Sequence, residues 1–370
     1  MAGSNRLASH RGNIRANGRR RKARGGDRQT RLSVERLEQR TLLTANFLPG
    51  VPVWQAQGPA PITGVTYATP DTSVGAVESI LPVPTGSVTY NVLGYSVTET
   101  VYTIYAGTVN GGVWEADNVT ASTLNAINWR PLSDNEPSLG VASMAYDPRL
   151  KTLWVGTGSV SSAYRQGGPD VGLLKSTDSG TTWTQLGTGL AGQRIVTVLP
   201  TANYEGGQQV VFAASLDGGG ILRSNDGGKN FNAVTKVSYL FGQPAGTLAG
   251  TATDIVQDPN NANRFYAALA GQGVFESDDD GLHWGWIDNG IPQMTQAEGT
   301  KLAAVYDGTT HQTNLYAVTE KGGNVTGAWI THPVGNYSLT NQPQWSAIGT
   351  VPESKPGDPT TAPQADVGYG

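Results

Sequence analysis

The sequence predicts an all-β chain folded as a β-propeller with about five recognisable four-stranded blades. Three observations predict it. A strand-turn-strand unit ending in Gly-apolar-apolar recurs at Gly112, Gly172, Gly220, Gly273 and Gly327, intervals of 60, 48, 53 and 54 residues. That spacing holds roughly four strands of ~5–6 residues with their turns. Glycine is high, 49 of 370 residues, and charge is low, at 15%, a composition of short strands and tight turns. No window sustains the i, i+3, i+4 apolar period of a helix, which excludes helical solenoids and bundles. A two-domain sandwich is the structural alternative.

In chain order, residues 1–45 form a basic segment, 46–350 the propeller, and 351–370 a Pro-rich loop leading to a missing blade. The first 40 residues hold 12 Lys/Arg and 3 Asp/Glu, and the rest 13 and 26, so a basic head precedes an acidic body. Residues 17–26 lack any apolar period and are expected to be disordered alone. A nucleic-acid arm would use such a cluster. No aromatic interleaves it and the body is acidic, so no nucleic-acid partner is expected. A secretory signal would need an apolar run of 7–15 residues, which does not follow. No run of 18 or more apolar residues occurs, so no membrane span is predicted. Residues 34–45, Val-Glu-Arg-Leu-Glu-Gln-Arg-Thr-Leu-Leu-Thr-Ala, resemble the LEPR-XLL segment of exported bacterial proteins at Leu37, Glu38, Arg40, Leu42 and Leu43. Gln39 stands where the pattern has proline. The resemblance implies an extracellular or cell-envelope destination; a short amphipathic helix is the plain alternative.

The clearest unit runs from Thr253 through the Asp258-Pro259 turn to Leu269, then from Gly273 to Trp284. A second runs Val141 to Pro148, Leu153 to Gly156 and Gly172 to Trp183. A third runs Ile195 to Leu199, Val210 to Ala214 and Gly220 to Phe231. Weaker units flank them, Tyr102 to Trp114 with Trp129, and Leu302 to Trp329 with Trp345. The five units are expected to start at about residue 88.

Each strong unit carries Ser-x-Asp-x-Gly-x-x-aromatic: Ser176, Asp178, Gly180 and Trp183; Ser224, Asp226, Gly228 and Phe231; Ser277, Asp279, Gly281 and Trp284. Aspartate closes a turn onto the backbone two residues on. Glycine takes φ > 0 without steric cost. The aromatic restarts the next strand and packs on its neighbour. The motif resembles the Asp-box (BNR) repeat of sialidases, sortilin-type receptors, xyloglucan hydrolases and photosystem assembly factors. The resemblance covers residues 85–350. It implies a propeller with the boxes between the third and fourth strands of each blade, away from any ligand site, so these residues are expected to be structural. The Asp278-Asp279-Asp280 run is read as solvated turn charge rather than a metal site. Residues 54–62 resemble the strand that closes such rings by joining the last blade. Yet the chain stops where a further blade's first strand is expected, after Pro352, Pro356, Pro359 and Pro363, which predicts an incomplete or open six- or seven-bladed ring.

The resemblance includes hydrolases, so their residues are sought one by one. Sialidases grip a carboxylate with three arginines, and the body holds six: Arg130, Arg149, Arg165, Arg194, Arg223 and Arg264. The nearest match to their Arg-Ile-Pro signature, Gln193-Arg194-Ile195-Val196, lacks the aromatic and the proline. In xyloglucan hydrolases one of two opposed carboxylates sits in a first-blade segment matched here by residues 105–112, where Val109 stands at the acid's position. The four histidines are scattered without zinc spacing. The Gly-x-Gly-x-x-Gly match at Gly187–Gly192 precedes a strand, where a dinucleotide site needs a helix. There are no cysteines, hence no disulfide or thiolate chemistry.

No catalytic residue, metal or cofactor is expected. The first reading is an exported, non-catalytic propeller that binds a protein or polysaccharide or acts as a scaffold. Tyr164 and Arg165, in the long loop between Gly158 and Gly172, are its expected binding pair. The alternative is a divergent glycoside hydrolase, xyloglucanase- or sialidase-like, with its acids on the inner strands.

Overall fold

Why the middle strands read as unbroken apolar runs is clear from their surroundings in the computed structural model. Those of the three central sheets lie between two other sheets and are buried on both faces. The structure describes residues 76–93, 95–123, 127–160, 168–236, 246–288, 291–333 and 343–349. The basic head with its LEPR-XLL-like segment, the stretch 54–62, the pair Tyr164 and Arg165, and the Pro-rich end lie outside these residues.

Five antiparallel sheets follow one another as blades of a five-bladed β-propeller. Blade I comprises β1 (Val77–Val92), β2 (Tyr95–Thr108), β3 (Gly112–Val119) and β4 (Arg130–Pro131). Blade II holds β5 (Val141–Asp147), β6 (Thr152–Thr157), β7 (Leu173–Ser176) and β8 (Thr184–Leu186). Blade III holds β9 (Ile195–Glu205), β10 (Gln208–Ser215), β11 (Gly220–Ser224) and β12 (Asn232–Ala233). The chain then adds β13 (Thr235–Lys236) and β14 (Gly246–Thr247) to the edge of blade IV. Blade IV proper is β15 (Ala252–Asp258), β16 (Asn261–Leu269), β17 (Gly273–Ser277) and β18 (His283–Trp286). After a one-turn helix, α1 (Pro292–Thr295), blade V comprises β19 (Gly299–Asp307), β20 (Gln312–Lys321), β21 (Asn324–Thr331) and β22 (Ser346–Ala347). The innermost strands β1, β5, β9, β15 and β19 pack side by side in chain order.

The core lies between blades. Val211 and Ala213 of β10 pack toward Trp154 of blade II, while Val210, Phe212 and Ala214 pack toward Phe265, Phe275 and Trp284 of blade IV. Alternate side chains of one strand thus serve two interfaces. In β20 burial alternates instead, with Leu315 and Ala317 packed on blade IV and Val318 exposed. A sixth or seventh blade would lie outside the described residues.

The units begin earlier than expected. β1 starts at Val77, because Pro82, Pro84 and Gly86, which read as turn residues, are carried inside the strand. The register with β2 shifts between Pro84 and Gly86, so the irregularity is absorbed as a bulge. The Gly187–Gly192 stretch forms a 3₁₀ turn at Thr188–Leu190 between β8 and β9, a loop joining two blades and followed by a strand as the sequence indicates.

Candidate functional site

The three boxes sit between the third and fourth strands of blades II, III and IV, and they superpose bond for bond. Each serine hydroxyl donates to the aspartate Oδ1, at 2.8, 2.7 and 2.9 Å, and accepts from the box glycine N–H, at 2.7, 2.9 and 2.9 Å. That Oδ1 also accepts from the N–H four residues on, in Thr182, Asn230 and His283. Oδ2 pairs with the same residue's side chain, at 2.6, 2.8 and 2.6 Å. Burial pushes the Asp226 carboxyl up. The hydrogen bonds from Asn230, Ser224 and Lys229 outweigh it and hold the group down at about 2.

Two features of the box escaped the sequence. The residue before each box glycine also has positive φ: Ser179 at 57°, Gly227 at 76° and Asp280 at 63°. The glycine itself lies against the preceding blade. A Cβ on Gly180, Gly228 or Gly281 would meet Leu132, Trp154 or Phe212 at 2.5, 2.8 or 2.2 Å. Trp183 adds a hydrogen bond from its indole N–H to the Leu132 carbonyl in blade I. Nor is the Asp278–Asp280 run merely solvated. Asp280 Oδ2 lies 2.6 Å from Arg223 Nη2 of blade III, and its carbonyl accepts from Arg223 Nε at 2.9 Å. His283 is tied to Asp279.

Inner-strand acids are where a hydrolase reading would look, and all six within those strands are engaged. Glu78 accepts from the Val160 N–H. Asp147 binds Arg149 and, at 2.6 Å, Gln209. Glu205 binds Arg223 and Asn225. Asp254 accepts from the Thr197 hydroxyl of blade III and the Leu302 N–H of blade V, at 3.1 and 2.9 Å. Asp258 is held by Thr313, Tyr266 and the Asn260 N–H. Asp307 caps the following turn through the Thr309 N–H. Arg194, the nearest match to a sialidase arginine, is paired with Asp217 at 2.7 Å. Val109 is buried.

One acid stands out electrostatically. Burial, and then the charge of Asp117, push the Glu115 carboxyl up to about 7 despite its contact with Arg130. An unfolded glutamate ionises near 4.5. Between those values the folded state keeps a proton that the unfolded state has lost, so stability falls as pH rises through the window. Urea unfolding at pH 5 and pH 8 should show this fall, and Glu115→Gln should reduce it by about 1–2 kcal/mol. An unchanged pH dependence in the variant would contradict the assignment.

A charged residue occupies the same position on the third strand of blades I to IV. It is Glu115 beside Arg130 in blade I, Arg223 against Asp280 in blade III, and Glu276 with Arg264 at 3.3 Å in blade IV. In blade II it is Lys175, whose ammonium lies 4.4 Å from the centre of the Trp154 ring. Beside Lys175, between blades II and III, opens a groove of about 430 Å³. Its walls include Leu150, Leu186, Tyr204, Gln208 and Lys229. Leu150 and Tyr204 are 45% and 50% exposed. The Arg149 guanidinium lies 5.9 Å from the centre of the Tyr204 ring.

No protein-family model matches the chain. No curated protein matches it either. Solved structures with similar folds include an ancestral GH74 enzyme, at 16% identity and a TM-score of 0.49, covering 80% of this chain and 32% of that one. The GH74 xyloglucanase from Xanthomonas campestris matches at 16% and 0.43, covering 77% and 39%. YCF48 from Cyanidioschyzon merolae matches at 15% and 0.40, covering 74% and 75%. The chain thus spans about a third of the length of the two GH74 enzymes. At these identities the likeness is one of fold.

Proposed function

We propose that the chain is a non-catalytic propeller that binds another macromolecule, carried to the cell envelope or beyond by its LEPR-XLL-like segment. The observation that carries the first part is the state of the inner-strand acids. Glycoside hydrolysis needs two carboxyl groups facing a shared substrate space, one of them free to move a proton. Here the inner-strand acids are used to cap turns, fix arginines and tie blades together. Glu115, the acid whose proton is held near neutrality, lies on a third strand against Arg130. The groove between blades II and III supplies what a binding surface needs, with apolar walls, an aromatic ring and polar groups around one cavity.

The test uses the full chain, produced in its native host and recovered from separate cell fractions. Incubated with xyloglucan, sialylated glycans and a microbial polysaccharide panel, it is expected to release no reducing sugar. It is expected in the envelope or medium fraction. Sugar release above a heat-treated control would establish the hydrolase reading in its place. Recovery from the cytosol alone would remove the export part and leave the binding part standing.

A further inference from the structure

The groove between blades II and III invites comparison with the next interface, because the repeat builds both from the same positions. Between blades III and IV, Arg223 projects from the third strand, and Asp280, the residue before the box glycine, meets it with a carboxylate. Between blades II and III, Lys175 takes the place of Arg223 and Gly227 the place of Asp280. The cation is retained and the carboxylate is missing. Lys175 makes no ion pair among the described residues, and the space opposite it is the groove.

Two acids lie near, and both are taken. Asp226 is on the groove wall, with its oxygens held by Ser224, Lys229 and Asn230 within the box. Asp147 acts on Lys175 through its charge, but its oxygens bind Arg149 and Gln209. Lys229, exposed on the rim, adds a second positive charge. Burial holds the Lys175 ammonium below the usual lysine range, as for a cation that gains from a partner.

We propose that this groove binds a carboxylate carried on a side chain of a partner polypeptide, with Lys175 holding it as Arg223 holds Asp280. The choice of polypeptide rests on β8. Its Thr184 and Leu186 line the groove, and it is the outermost strand of its sheet among the described residues. An outer edge of this kind accepts an added strand, and the molecule does this once itself. In blade IV the outer strand β18 pairs in parallel with β13, Thr235 opposite His283. An extended acidic segment laid along β8 presents alternate side chains to the groove. The assignment deepens the binding-module reading and rests on it.

Fluorescence polarisation with the full chain tests it, using a labelled Thr-Glu-Thr-Glu-Thr peptide, its glutamine counterpart and trigalacturonate. The glutamate peptide should bind at least tenfold more tightly than the other two. Lys175→Met keeps the side-chain stem on Trp154 and should weaken it tenfold or more. Gly227→Asp should do the same by supplying the missing carboxylate from within. Its aspartate would adopt a left-handed backbone, φ of 76° against 63° at Asp280, and a Cβ there meets nothing nearer than Gln208 at 3.4 Å, so the variant should fold with its melting temperature only modestly lowered. Equal affinity for the two peptides, no binding of the glutamate peptide at millimolar concentration, or full affinity in both variants would overturn the proposal. Preference for trigalacturonate would overturn its polypeptide part. Sugar release in the polysaccharide assay defeats the binding-module reading whatever these titrations show, so the two failures stay distinguishable.

Discussion

Gly281→Ala should lower stability by about 3 kcal/mol, more than either equivalent change, Gly228→Ala or Gly180→Ala. Two costs add at this position. The backbone has φ of 75°, where a Cβ crowds the adjacent carbonyl. The same Cβ would lie 2.2 Å from Cζ of Phe212. Phe212 is fully buried, 4.8 Å from the Phe265 ring centre and at the edge of Trp284, so it has no room to retreat. At Gly228 the obstacle is Trp154, also fully buried but approached at 2.8 Å. At Gly180 it is the tip of Leu132, a flexible and partly exposed side chain. Thermal unfolding should therefore rank the three variants Gly281, Gly228, Gly180 from worst to mildest. The first should lose roughly 6–12 °C. Equal losses at all three would show that the turn conformation alone sets the cost, with no contribution from the neighbouring blade.

Asp254→Ala should cost about 2–4 kcal/mol. Its carboxylate accepts from Thr197 in blade III, from the Ile255 N–H in its own strand, and from the Leu302 N–H in blade V. Alanine removes the acceptor and leaves the buried Leu302 N–H without it, which is the expensive way to lose a hydrogen bond. Asp254→Asn keeps one acceptor oxygen and should cost less than half as much. Amide exchange separates a local from a global effect, since Leu302 should lose protection before the blade III amides do. If alanine and asparagine are equally mild, below about 0.5 kcal/mol, the residue does not tie the blades together.

Much of the fold was legible because its signals are short. The box bonds join residues two to four apart, so Ser176, Asp178 and Gly180 announce their turn within five letters. The Gly-apolar-apolar entry into the third strands of blades I to IV and the continuous run Val210–Ala214 are equally local, whereas Gly327 falls inside β21 rather than at its start. The start of β1 was not legible, because Pro82, Pro84 and Gly86 signal a break locally and pairing with β2 overrides them. The role of Asp280 was hidden for another reason. Its partner Arg223 is 57 residues away, and a run of three aspartates in a turn carries no mark of which one faces a cation.

By itself, then, the sequence determined the repeat, the box turns and the strand order within each blade, since hydrogen bonds and apolar alternation act over a few residues. Only the tertiary structure decided what lies between blades. There the box glycines meet Phe212 and Trp154, the inner-strand acids are engaged, and Arg223 finds a carboxylate while Lys175 faces a groove. Those pairings depend on how one sheet stacks on the next, and that stacking is set by the summed packing of whole blades rather than by any short motif.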